Sequence, residues 1–266
     1  LPNMIKLSKR LQTIADRVTA GARAADIGSD HALLPVYLVQ TGKCPSAIAG
    51  ELNDGPLQAA KRQIAEAGLA KAVAARKGNG LAVLEPGEAD TVTIAGMGGS
   101  LMAEILETGR LAGKLEGVRE LVLQPNVGEE LVRRWLFEHG YVLQGEWLLE
   151  EDGKLYEVLR ALREADSPPD VTNAQVYDPA FLPAGMNAER KRFWLFRMGP
   201  YLLRQRAELL PEKWRQEHGK LKRIRAQLEQ SELAESRGKE AQLREEMEAI
   251  EEVLSCLQTV KPSSSS

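Results

Sequence analysis

Two stretches decide the fold: Ala25-Asp26-Ile27-Gly28-Ser29-Asp30-His31-Ala32 and, about twenty residues later, Ala49-Gly50-Glu51-Leu52-Asn53. In each, an apolar run stops at polar residues. The first ends in a turn built on a glycine and the second ends in a carboxylate. That pairing is how an α/β domain holds a nucleoside cofactor: the glycine lets the backbone approach it, and the acid accepts from the ribose hydroxyls. The turn lacks the later glycines of G-x-G-x-x-G, which make room for a pyrophosphate. A cofactor without a pyrophosphate does not need them. S-adenosylmethionine is the candidate, because its sulfonium and zwitterionic tail suit carboxylates such as Asp26 and Asp30. The competing reading is an ordinary strand-to-helix turn with Asp30 as N-cap.

Outward from this pair, strands and helices alternate. Apolar, strand-like segments lie near 23–28, 46–51, 73–77, 90–95 and 119–124, with helix-like segments near 31–41, 55–67, 98–109 and 128–139. This rhythm implies a parallel sheet covered on both faces. Pro56 suits a first helical turn, and Gly68 and Gly140 suit helix ends. An amphipathic helix over about 4–20 precedes the sheet, with Ile5, Leu11, Ile14, Ala15 and Val18 on one side and Lys6, Lys9, Arg10 and Arg17 interleaved. After Gly140 the rhythm changes. Segments 141–150 and 154–162 flank Glu151-Asp152-Gly153, and Asp-Gly between apolar runs signals a hairpin. A largely parallel sheet that ends in an antiparallel pair is how class I methyltransferases finish; nicotinamide-binding Rossmann domains generally do not.

Ser167-Pro168-Pro169-Asp170 marks a break, and the expected domains are 1–183, binding the cofactor, and 184–266, a helical appendage. Leu221, Ile224 and Leu228 form one apolar stripe. Leu243, Met247, Ile250, Leu254 and Leu257 form another at 4-3-4-3 spacing, with a reversal expected at Glu235-Ser236-Arg237-Gly238-Lys239. The expectation is an antiparallel two-helix coiled coil. Paired within one chain it gives a monomer; paired between chains it gives a dimer. Residues 190–225 hold twelve Lys/Arg against three Glu, and residues 226–260 hold three against nine. A basic helix therefore pairs with an acidic one, or the basic arm offers phosphates a docking face. Arg190, Lys191, Arg192 and Arg197 interleave with Phe193, Trp194 and Phe196, which suits nucleic acid or anchors the appendage.

The formal charge of −3 argues against a general affinity for polyanions. Two distant cysteines, Cys44 and Cys256, argue against a disulfide framework and fit a reducing cytoplasm. Three scattered histidines give no metal motif, and no apolar run reaches membrane-spanning length. Met4 is the expected native start, and the serines at 263–266 read as a solvated tail.

Three more segments fall at the ends of successive strands. In Gly78-Asn79-Gly80-Leu81, an Asn can reach an adenine amino group, or the segment is a plain turn. In Ile94-Ala95-Gly96-Met97-Gly98-Gly99, the glycines let the backbone come close to a reacting group or pack a helix tightly. In Gln124-Pro125-Asn126, amides can read a base edge, or Asn126 caps a helix. The joint arrangement is much more specific than any one segment.

Asp-Ile-Gly-Ser-Asp-His-Ala (26–32), Gly-Glu-x-Asn-x-Gly-Pro (50–56), Ile-Ala-Gly-Met-Gly-Gly (94–99), Leu-Gln-Pro-Asn (123–126) and Gly-Lys-x-Tyr-Glu (153–157) together resemble the bacterial tRNA (adenine-22-N1)-methyltransferases, the TrmK family. The resemblance covers essentially the whole chain. It implies a class I, Rossmann-like fold with a mostly parallel seven-stranded sheet, S-adenosylmethionine as donor, and methylation of N1 of an adenine in the D-arm of tRNA. It also implies a C-terminal coiled coil that helps hold the tRNA. Carried over by segment, Asp26, Gly28, Ser29, Asp30 and His31 border the methionine part. Glu51, Leu52 and Asn53 meet the ribose, Asn79 and Gly80 border the adenine, and Ala95, Gly96 and Met97 sit by the methyl group. Asn79 stands where the family pattern has Asp; its amide offers an acceptor and also a donor.

Adenine N1 is a neutral nucleophile near neutral pH, so this chemistry asks for alignment and excluded water rather than a strong base. The target must be unpaired or flipped out. Asp30 and Asn126 are the candidates to orient the base. Stacking falls to Met97, Tyr156 or another residue. A nicotinamide-dependent oxidoreductase, a non-enzymatic RNA-binding protein, and a methyltransferase acting on another RNA purine or a small molecule stay open.

Overall fold

The computed structural model describes residues 4–182, 185–229 and 234–258. Seven strands form one sheet: β1 (Ala24–Ile27), β2 (Ala47–Glu51), β3 (Val73–Lys77), β4 (Thr91–Gly98), β5 (Glu120–Val127), β6 (Tyr141–Glu151) and β7 (Lys154–Arg163). Their order is β3-β2-β1-β4-β5-β7-β6. The first five are parallel; β7 runs antiparallel to both β5 and β6. Strands β1 and β2 are buried along their whole length, as helices on both faces require. Asp152 and Gly153 both take positive φ in the expected hairpin turn.

Helices α1 (Lys9–Arg17), α2 (Leu33–Gln40), α3 (Asp54–Glu66), α4 (Gly99–Leu111) and α5 (Glu129–Glu138) interleave with the strands. Helix α1 is shorter than the apolar pattern predicts. Ser8 caps it by accepting from the Leu11 N–H, and Val18 already lies beyond its end in extended backbone. Strand order reverses between β1 and β4. That leaves a crevice at their carboxyl ends, where α/β sheets place ligands.

The chain continues through α6 (Asn173–Val176), α7 (Ala188–Met198), α8 (Pro200–Arg204), α9 (Leu210–Glu229) and α10 (Ala234–Gln258). Residues 235–239, expected to reverse the chain, are instead helical, within α10. The side chain of Leu257, the domain boundary at 183/184 and the serine tail lie outside the described residues. Helices α9 and α10 run antiparallel: Arg225 pairs with Glu240, and Arg197 draws Glu217 and Glu246 together. Leu221, Met247, Ile250 and Val253 are buried in the same core as α5 and α7.

The aromatic and basic stretch of α7 divides by face. Trp194 and Phe196 are buried; Phe196 stacks on Tyr177 at 4.4 Å and meets Phe137 edge-on at 5.5 Å. These anchor the helix. Arg197 is consumed by Glu130, Glu217 and Glu246, whereas Arg190, Arg192 and Phe193 face solvent.

Candidate functional site

The crevice is built from strand ends. Asp26, near the end of β1, is 5% exposed, and its two carboxylate oxygens accept from Ser29 Oγ at 2.7 Å and Thr93 Oγ1 at 2.6 Å. Burial raises its pKa, and these hydrogen bonds and the charge of Arg10 only partly offset that. Gly28 has φ +71°, and a Cβ there would lie 2.3 Å from Met97 Cε. The glycine thus lets the end of β4 close over the end of β1. Asp30, His31 and Ala32 follow with φ of 40°, 65° and 55°, three successive non-glycine residues in the left-handed region. Such strain persists where the surroundings impose it, and it clusters at ligand sites. Asp30 does not cap α2: the cap position is Ala32, with no side-chain hydrogen bond. Instead the Asp30 N–H donates to Glu51 Oε1 at 2.6 Å and ties the β1 turn to the end of β2. Glu51 is 6% exposed, and burial raises its pKa.

A cleft of about 340 Å³ is lined by Arg10, Leu11, Asp26, Gly28, Ser29, Asp30, Leu33, Ala95, Gly96, Met97, Asn126 and Tyr156. Eight of the expected site residues therefore share one cavity, and Glu51 joins through Asp30. The Asp30 and His31 side chains are exposed, 3.5 Å apart. Leu52 and Asn53 are exposed beside Glu51, Asn53 at the cap position of α3. Asn79 and Gly80 line a separate recess of about 150 Å³ against α4.

Two contributors, Arg10 and Thr93, are missing from the expected set, and Gln124 acts on Asn126 besides standing among the expected amides. Arg10 of α1 donates to Gln124 Oε1 at 2.7 Å and lies 5.6 Å from the centre of the Tyr156 ring. The N–H of Gly96 donates to the same oxygen at 3.1 Å. Gln124 Nε2 donates to the Pro125 carbonyl at 3.0 Å and to Asn126 Oδ1 at 3.1 Å. Asn126 is not a helix cap; Gly128 holds that position for α5. Thr93 was the more legible of the two, a polar residue inside a largely apolar strand, while Arg10 resembles any cation on an amphipathic helix.

A second cleft, of about 550 Å³, meets the first at Asn126 and Tyr156 and runs between the hairpin and α9, past Lys154, Lys213, Trp214 and Lys220. Among the described residues, no helix is long and apolar enough to cross a membrane and no His/Cys/Asp/Glu group has the makings of a metal site.

The donors and acceptors in the first cleft fit a nucleoside cofactor with a charged tail and no pyrophosphate. A buried carboxylate stands at the end of β1, a second lies at the end of β2, and the glycine turn runs between them. With the sheet order and the terminal antiparallel pair, these define an α/β, Rossmann-like methyltransferase fold.

The family model for TrmK, tRNA (adenine(22)-N(1))-methyltransferase, matches residues 24–252, and the chain belongs to that family. It is 44% identical over 253 residues to the tRNA (adenine(22)-N(1))-methyltransferase of Bacillus subtilis (strain 168), covering 95% of this chain and 98% of the relative. The crystal structure of the B. subtilis M1A22 tRNA methyltransferase TrmK superposes with a TM-score of 0.81 at 41% identity, covering 94% of this chain and 99% of that one. A Streptococcus pneumoniae protein solved in complex with S-adenosyl-L-methionine gives 0.75 at 37% identity, over 94% and 100%.

Proposed function

We propose that this protein transfers a methyl group from S-adenosylmethionine to N1 of adenine 22 in the D-arm of tRNA. The observation that carries the reading is the cleft of paired acids and glycine turn, in a chain that belongs to the TrmK family throughout its methyltransferase fold. The cofactor supplies an electrophilic methyl on a sulfonium. Everything else is done by the chain's own groups.

Asp26, Gly28, Ser29, Asp30 and His31 hold the methionine part, Glu51 with Leu52 and Asn53 the ribose, and Asn79 with Gly80 the adenine. Ala95, Gly96 and Met97 border the methyl group. Asp26 is already ordered by two hydroxyls, so it meets a cation without rearranging. Asp30 and Asn126 orient the target base, and Tyr156, backed by Arg10, gives it a stacking surface. No general base is needed, because N1 is unprotonated and nucleophilic at neutral pH; catalysis is alignment in a dry cleft. The base reaches it flipped out of its helix.

Residues 1–183 act as the methyltransferase domain and 184–266 as the appendage, with α9 and α10 as an antiparallel coiled coil that rests on the tRNA. Lys154 and Lys220 along the second cleft, and Arg190 and Arg192 on the open face of α7, are the phosphate contacts. Pairing of α9 with α10 inside one chain makes the enzyme a monomer, and its substrate makes it cytoplasmic.

The test is transfer from labelled S-adenosylmethionine to unmodified bacterial tRNA with adenine at position 22, beside the same tRNA with guanine there. Label only on the adenine transcript, mapped to N1, is the expected result. Label on both removes the assigned position, and no cofactor binding by calorimetry removes the enzyme.

A further inference from the structure

The amide chain at the end of β5 has a fixed polarity. Arg10 and the Gly96 N–H are donors only, and both address Gln124 Oε1, at 2.7 and 3.1 Å. Gln124 is fully buried, so flipping its amide would bring two donors against an NH2 group with no water to relieve them. Its Nε2 therefore points to the Pro125 carbonyl and to Asn126 Oδ1. Asn126 is in turn held with Oδ1 toward Gln124. One lone pair of that oxygen is taken, and the second lone pair and both Nδ2 hydrogens remain to face the clefts that Asn126 lines.

An Asn that offers an acceptor beside a donor is the complement of one base edge. Adenine N6–H2 donates and N7 accepts on its Hoogsteen edge, and Asn reads this pair bidentately. An enzyme that alkylates N1 must leave the Watson–Crick edge open, so the Hoogsteen edge is the one available for recognition. Guanine presents O6 and N7 there, both acceptors, and an Asn whose amide orientation is fixed by Gln124 meets O6 with the remaining lone pair of its oxygen.

We propose that Asn126 reads the Hoogsteen edge of the target adenine, accepting from N6 and donating to N7, and that Arg10 and Gln124 are positioning residues that fix its polarity. This rests on the methyltransferase reading above and extends it to how the base is chosen. It also assigns a transition-state role. As N1 takes the methyl group, positive charge spreads to N6, and the Oδ1 that accepts from N6 binds tighter in the transition state than before it.

The test uses the full-length protein and tRNA ligated from synthetic halves, with adenosine or 7-deazaadenosine at position 22; the deaza base keeps N1 and N6 and lacks only the N7 acceptor. The native enzyme should lose about tenfold in kcat/KM on the deaza substrate, the size of one hydrogen bond whose donor is left unpaired. In Asn126→Ala that ratio should fall to about one, because the donor is gone. Gln124→Glu should remove it as well: a carboxylate facing Asn126 turns its amide over and brings Oδ1 against N7. An effect confined to stability would leave the ratio untouched. A native ratio near one, or a ratio that survives in Asn126→Ala, overturns the proposal while adenine-dependent methylation stands. No methylation of the adenosine tRNA by the native enzyme overturns both readings.

Discussion

Asp26 is buried with both oxygens occupied by hydroxyls, and burial raises its pKa. A carboxylate whose pKa is higher folded than unfolded binds its proton more tightly in the folded state. Its stabilising contribution is present below the unfolded pKa and is lost as pH rises through the folded one. Ionising Asp26 in this buried position is therefore a cost that function imposes on the fold. Asp26→Asn should keep or raise the melting temperature at about pH 8 and lose that advantage as pH falls to about 5, which thermal scans at both pH values would show. The same variant should weaken S-adenosylmethionine by about tenfold or more in calorimetry, because a charge-assisted contact is lost. Gly28 makes the opposite exchange. An alanine there is strained by about 1–2 kcal/mol at its positive φ, and its Cβ displaces Met97 into the cleft. Gly28→Ala should fold with a modestly lower melting temperature and fail to retain cofactor at concentrations that saturate the native protein.

At the scale of elements, the starts of α4 and α5 touch through backbone. A Cβ on Gly99 would stand 2.0 Å from the Gly128 carbonyl oxygen, so the last glycine of the Gly-Met-Gly-Gly segment serves helix packing, while the N–H of Gly96 serves Gln124. Gly99→Ala should cost about 1–3 kcal/mol in urea unfolding as the two helices separate. That division within one glycine run shows what the sequence could and could not reveal. The strands were legible: β1 and β2, buried on both faces, are continuous apolar runs punctuated by turns, and the hairpin was legible from Asp152-Gly153. Strand ends named most of the cleft, since a doubly wound sheet brings them to one edge whatever their separation. The link from Arg10 to Gln124 spans 114 positions and depends on how α1 lies across the sheet, which no local pattern encodes. The aromatics at 193, 194 and 196 were ambiguous for a similar reason: they cover several faces of one helix, and only packing shows that 194 and 196 anchor while 193 stays outside.

Across the whole molecule, a buried ionic cluster joins the sheet to the C-terminal helices. Arg133 of α5 is fully buried; it pairs with Glu146 of β6 and Glu157 of β7 and donates to the Phe196 carbonyl where α7 ends. Lys213 of α9 reaches the same Glu157, and Glu146 accepts from the Tyr201 N–H of α8. Burial acts to discharge Arg133, and the charges of Glu146 and Glu157 outweigh it, holding its pKa above the usual value. Glu157 also follows Tyr156 on β7, so one strand carries a cleft wall and the anchor of α9 side by side. Removing only Arg133 leaves Glu146 without a counter-ion in the core and Glu157 with Lys213 alone, and Arg133→Ala should cost about 3–5 kcal/mol. If the cost is that uncompensated charge, Arg133→Met combined with Glu146→Gln and Glu157→Gln should recover most of it, since a neutral cluster of similar volume needs no counter-ion. Urea unfolding followed by the fluorescence of Trp194 and Trp214, both buried beside the cluster, measures the two variants directly. Recovery of stability without recovery of tRNA methylation would then show that the charges set the position of α9 against the cleft, because the packed core alone would already have been restored.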